Sequence, residues 1–133
     1  MWEQPELGDI VWCRFPQRPR DVPGPKPGPA LVISITEHAD GITVGVAYGT
    51  SQNTDRLVSG EFTIRKAGNK TAYAMAGLSY DTKFDLRNIL ELPWNDRFFA
   101  VPPDPQYGQT PKLGSLHIGM RKTLEAAARA VKK

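Results

Sequence analysis

The chain has 133 residues, 17 Lys and Arg against 14 Asp and Glu, and a single cysteine. That length fits one ordinary domain with one buried core. One cysteine, Cys13, rules out an internal disulfide and any multi-cysteine metal site, and His38 and His117 lack zinc-motif spacing, so no metal and no cofactor is expected. There is no apolar run of membrane-spanning length, and the first residues lack the basic-then-apolar order of a secretory signal; a cytoplasmic protein with no membrane partner is the expectation.

Charge is clustered. Arg14, Arg18, Arg20 and Lys26 stand against Asp21 alone, and Arg121, Lys122, Arg129, Lys132 and Lys133 stand against Glu125, which leaves the rest of the chain net negative. Local clustering, more than the sum, sets long-range attraction to an anionic partner.

In chain order, residues 9–15 are rich in β-branched and aromatic types and stop at Pro16, as a strand does. Six prolines between 16 and 29, with Gly24 and Gly28, forbid a helix and predict a stiff, exposed loop. Residues 30–36 and 42–48 read as two strands around a turn at 37–41, and Gly45 marks a place where a bulge or bend is cheap. Residues 61–66 alternate polar and apolar, 67–69 form a turn, and 71–78 are expected to return as the partner strand. Two further short strands are expected over 83–87 and 89–92, ending at Pro93. Residues 102–111, with four prolines, have linker composition. From Ser115 as N-cap, Leu116, Met120, Leu124, Ala127 or Ala128 and Val131 recur at helical spacing.

The expected fold is therefore mainly β, a small antiparallel barrel over residues 1–93, followed over 94–133 by a Pro-rich linker and a C-terminal amphipathic helix packed on or beside it.

Leu7-Gly8-Asp9-Ile10-Val11-Trp12, then a Pro-rich loop and Pro29-Ala30-Leu31-Val32-Ile33-Ser34, resembles the opening of PemK/MazF toxins. Val46-Ala47-Tyr48-Gly49-Thr50-Ser51-Gln52 is similar to a strand end of the same family that carries a Thr-Ser or Thr-Thr pair. The resemblance covers roughly the first 92 residues and lies in the order of the motifs. It implies an SH3-like barrel, a homodimer, and metal-independent cleavage of single-stranded RNA opposed by an antitoxin polypeptide. Two departures stand out. Gly28 occupies the place of the family's Arg before Pro-Ala, and Gly77-Leu78-Ser79-Tyr80 falls where the family has an Arg-Cys-Asp-Gln stretch.

Cleavage of RNA without a metal requires a base, an acid and groups that stabilise charge on the phosphate. Thr50, Asp81 and Lys83 are the catalytic candidates, with Asp85 as an alternative base. Arg14, Arg18, Arg20, Lys26, Ser51 and Gln52 are the nucleic-acid-binding candidates, with Trp12 or Tyr48 as stacking surfaces. The plainer alternatives are that Thr50 caps a turn, that the Asp81–Asp85 segment is a solvated strand edge, and that the basic loop is only soluble. Two functions follow: a toxin-like endoribonuclease, or a non-catalytic SH3-like module that binds RNA, DNA or a peptide.

Overall fold

Runs of Val, Ile, Phe and Tyr become strands throughout the computed structural model, which describes residues 2–16, 23–24 and 26–131. The strands are β1 (Asp9–Cys13), β2 (Gly28–His38), β3 (Gly41–Thr50), β4 (Glu61–Ile64), β5 (Thr82–Pro93) and β6 (Lys112–Ser115). Two helices, α1 (Lys70–Met75) and α2 (Arg121–Val131), complete the fold. All six strands belong to one antiparallel sheet in the order β4-β5-β3-β2-β1-β6, so the protein is mainly β with a C-terminal helix.

Both faces of the central strands are buried. Ile10, Leu31 and Ala47 point to one side, where they meet Phe62, Phe84, α1 and α2; Val11, Cys13, Ala30, Val32, Val44 and Val46 point to the other, against Leu92, Phe98 and Phe99. This is the period-two alternation of a strand with a core on each face. At Ile33 the alternation is reset by a bulge: Val32 pairs with Val46 and Ser34 with Gly45, so β2 carries one extra residue. Gly45 lies opposite that bulge, where the Ser34 hydroxyl fills the space of a Cβ: one there would lie 2.2 Å from Ser34 Oγ.

Three expectations change. Residues 71–78 do not form a strand, since Asn69 Oδ1 accepts from the Ala72 amide at 3.1 Å and starts α1. The alternating alanines look like a strand, but the pair that is buried, Ala72 and Ala76, is spaced i, i+4 and seals a helix face. The two short strands over 83–92 are one continuous strand, β5. The sheet also continues past the Pro-rich segment, because β6 pairs with β1, and Ser115 ends that strand instead of capping a helix. The cap is His117, whose Nδ1 accepts from the Gly119 amide at 2.8 Å and opens a 3₁₀ turn (Ile118–Met120) leading into α2.

The sheet is not closed by strand pairing, since β4 and β6 lie at its two ends. The end of α1 comes against β6 instead: a Cβ on Gly114 would lie 2.2 Å from the Met75 carbonyl oxygen, and one on Gly77 would lie 2.1 Å from that of Leu113. A helix turn thus stands in the gap a barrel would close with hydrogen bonds. Among the described residues no helix is long and apolar enough to cross a membrane.

Candidate functional site

Thr50 is the last residue of β3, and its partner across the ladder is Lys83 of β5. Beyond it the chain turns out of the sheet. The Gln52 amide donates to Thr50 Oγ1 at 3.2 Å, and Asn53 is the one non-glycine residue with positive φ, +52°, among the described residues. Thr50 does cap a turn, as its plainer reading held. An accepting hydroxyl still carries its own proton, so Thr50 remains a donor toward whatever lies beside it.

Beside it is a groove of about 1010 Å³. Its floor is the half-buried Trp12 of β1 with Gly28 and Pro29 of β2 and Tyr48 of β3; Thr50, Ser51 and Gln52 form one wall, and Ser79 and Tyr80 line it together with Pro102–Asp104. The floor depends on one glycine. A Cβ on Gly28 would lie 2.5 Å from Tyr48 Oη, so the Tyr48 phenol occupies the space that a side chain at Gly28 would take. Tyr48 also packs on Phe15, with ring centroids 5.0 Å apart. Burial, with Cys13 nearby, pushes the Tyr48 hydroxyl above its ordinary pKa and keeps it a proton donor.

The groove gathers hydroxyls, phenols and amides, with Lys26 and Asp104 as its charged lining residues among those described. Thr50, a catalytic candidate, and Lys26, Ser51 and Gln52, nucleic-acid-binding candidates, are brought together here. Arg14 is not: its guanidinium donates to the carbonyl oxygens of Asp96 at 3.2 Å and Phe99 at 3.4 Å, tying β1 to the segment after β5. Arg18 and Arg20 lie outside the described residues.

Asp81 is turned away from the groove. Tyr80 and Thr82 line it, while Asp81 between them accepts from the Lys66 amide at 2.8 Å and pairs with Arg65 at 3.7 Å. Lys83 lines a second, smaller depression of about 240 Å³ that shares Tyr48, Thr50 and Gln52 with the groove. Its ammonium donates to the Arg56 carbonyl at 3.1 Å and lies 3.6 Å from Glu61. Glu61 is also approached by Arg87 at 3.4 Å. Asp85 is held by Arg87 at 2.9 Å; burial alone would raise its carboxyl pKa, but hydrogen bonds from the Arg87 side chain and amide outweigh that and hold it below the ordinary range.

No family model matches the chain, and no curated protein matches it. What the groove can do therefore rests on its own side chains. It presents three aromatic faces and a row of neutral donors, and its two charged lining residues are of opposite sign. Among the described residues no three His, Cys, Asp or Glu are grouped as a metal site.

Tyr80 is the residue that sequence reasoning passed over. It is 72% exposed and sits over the groove, in the stretch noted only for lacking the family's charged pair. An aromatic ring within a polar segment, next to a run that alternates into β5, was the available signal. Cys13 has no chemical part: it is fully buried, and burial pushes its thiol well above the reactive range despite neighbouring Arg14.

Proposed function

We propose that this chain is a PemK/MazF-like, toxin-type protein that takes single-stranded RNA into the groove between Thr50 and Tyr80. One observation carries the reading: the segments that resemble the family, around Trp12, Pro29 and Tyr48–Gln52, converge on one groove although they come from three different strands. Trp12, Tyr48 and Tyr80 supply stacking faces for unpaired bases, and stacking tolerates any base because each has a π face. Thr50, Ser51 and Lys26 supply donors and a cation for the backbone phosphates.

Binding without cleavage is the form of this activity that the groove favours, because the candidate base Asp81 does not line the groove and is engaged by Arg65 and Lys66. Cleavage is the second reading, and it is favoured by Thr50 and Lys83 being cross-strand partners that line the same depression.

One assay separates them. Fluorescence anisotropy with labelled single-stranded RNA in excess chelator is expected to show salt-dependent binding. Tyr80→Ala, at an exposed position, is expected to weaken it by roughly 5- to 100-fold, the range for loss of one stacking face. Absence of binding to any RNA would sink the proposal and turn attention to peptides. Products with 2′,3′-cyclic phosphate ends that vanish in Thr50→Ala and Lys83→Ala would establish the nuclease; intact bound RNA establishes the binding module.

The resemblance also implies a homodimer and a cognate antitoxin polypeptide. Light scattering is expected to give twice the 14.7 kDa chain mass, and the mass of one chain at every concentration would remove the dimer from the proposal.

A further inference from the structure

The smaller depression beside the groove is too polar to be a packing defect. We infer that it is a base-reading pocket for a keto base, uracil or guanine, whose exocyclic oxygen accepts a hydrogen bond from Lys83 Nζ. This rests on the proposal that RNA occupies the groove.

Position comes first. Tyr48, Thr50 and Gln52 line both spaces, so a strand whose phosphate meets Thr50 has a neighbouring base at the mouth of the second one. Its volume of about 240 Å³ is on the scale of one nucleobase and a little water, not of a folded partner.

Donor and acceptor bookkeeping then selects the base. Glu61 takes the Val58 amide at 2.9 Å together with Lys83 and Arg87, and Asp85 takes Arg87 on both oxygens, at 2.9 and 3.0 Å. The carboxylates are thus directed at protein donors. Lys83 has three N–H donors, one given to the Arg56 carbonyl and one directed at Glu61. The third is available to the pocket. The side chain is only 11% exposed, so that donor gains little from bulk water.

The ammonium is also held in place. Arg56 donates its amide to the Asn53 carbonyl at 3.0 Å and receives Lys83 on its own carbonyl, so the turn carrying Gln52 and Asn53 is tied to the lysine. The side-chain amides of Gln52, Asn53 and Asn88 can donate or accept, whereas the ammonium can only donate. A keto oxygen satisfies it. The amino group of cytosine or adenine would set donor against donor at that ammonium and leave the contact unmade.

The test is anisotropy at fixed salt with two pairs of short RNAs that differ in this group: hexauridylate against hexacytidylate, and hexaadenylate against its inosine counterpart. The keto member of each pair is expected to bind about tenfold more tightly, the scale of one good base-edge contact. Lys83→Met is expected to bring both ratios to within about twofold, measured on protein whose urea unfolding shows that it remains folded. Binding of all four RNAs with equal strength would overturn the pocket while leaving the groove. A uniform loss in Lys83→Met, with a salt slope lower by about one, would also overturn it and make Lys83 a phosphate contact. Absence of binding to all four would overturn the groove itself, and the pocket with it.

Discussion

Gly114→Ala is expected to cost about 3 kcal/mol or more and to detach β6 from the fold. The added Cβ would meet the Met75 carbonyl oxygen at 2.2 Å and the Ala76 carbonyl carbon at 2.5 Å. Both are backbone atoms at the end of a helix whose neighbours Ala72 and Ala76 are fully buried, so neither side can yield by a rotamer change. Relief requires β6 to move, and β6 is the outer partner of β1. Gly108→Ala makes the comparison sharp. Gly108 has φ +85° but nothing within 4 Å of an added Cβ, so its cost is limited to backbone strain of about 1 kcal/mol. Urea unfolding of both variants measures the difference. A Gly114→Ala protein within 1 kcal/mol of the parent would mean that α1 does not lie on β6.

Phe84→Ala is expected to cost about 3–5 kcal/mol, the range for emptying a buried aromatic site. Phe84 has no solvent exposure and stacks on Phe62 with ring centroids 5.5 Å apart. A double-mutant cycle between the two should return a coupling of about 0.5–1.5 kcal/mol beyond their separate burial. The ring has a second duty. It lies under Gly49, where a Cβ would come within 2.9 Å of it, and Gly49 and Phe84 are the ladder pair next to Thr50 and Lys83. Loss of the ring removes the support from under both walls of the site, so RNA binding should weaken in Phe84→Ala even at temperatures where it remains folded. Unchanged binding in a folded variant would show that the site does not depend on this layer.

Much of the sheet was legible from residue types. The first strand starts at Asp9 as expected but ends at Cys13, short of Pro16; β5 ends at Pro93, the segments around Leu31 and Val44 pair as a hairpin, and Gly45 sits opposite the bulge. Two of the errors share one cause, which is that small residues carry little directional information. Ala72, Ala74 and Ala76 alternate like a strand and pack like a helix, and Gly114 admits a strand in a segment whose prolines read as linker. The Asn69 cap starts the helix locally, but the contact of α1 with β6 is long-range, and no local window contains it.

The site divides in the same way. Thr50, Ser51, Gln52 and Lys26 were legible because they cluster in two short motifs that end on one groove. Asp81 and Lys83 carried the charge that a catalyst needs, but which way a residue faces depends on register, and register is fixed by the partner strand. Tyr80 was hidden by attention to missing charge. Arg14 shows the reverse case, a basic residue in a basic loop whose guanidinium is spent on two main-chain carbonyls.

Cys13 sits at the centre of this arrangement, paired with Gly28 on one side and bridged to Phe99 on the other, with no surface of its own. As the one sulfhydryl of the chain it is a built-in clock. A thiol reagent can reach it only when β1 separates from its neighbours, so its rate of modification under native conditions reports how often that layer opens, and RNA seated over Trp12, the adjacent residue, should slow it.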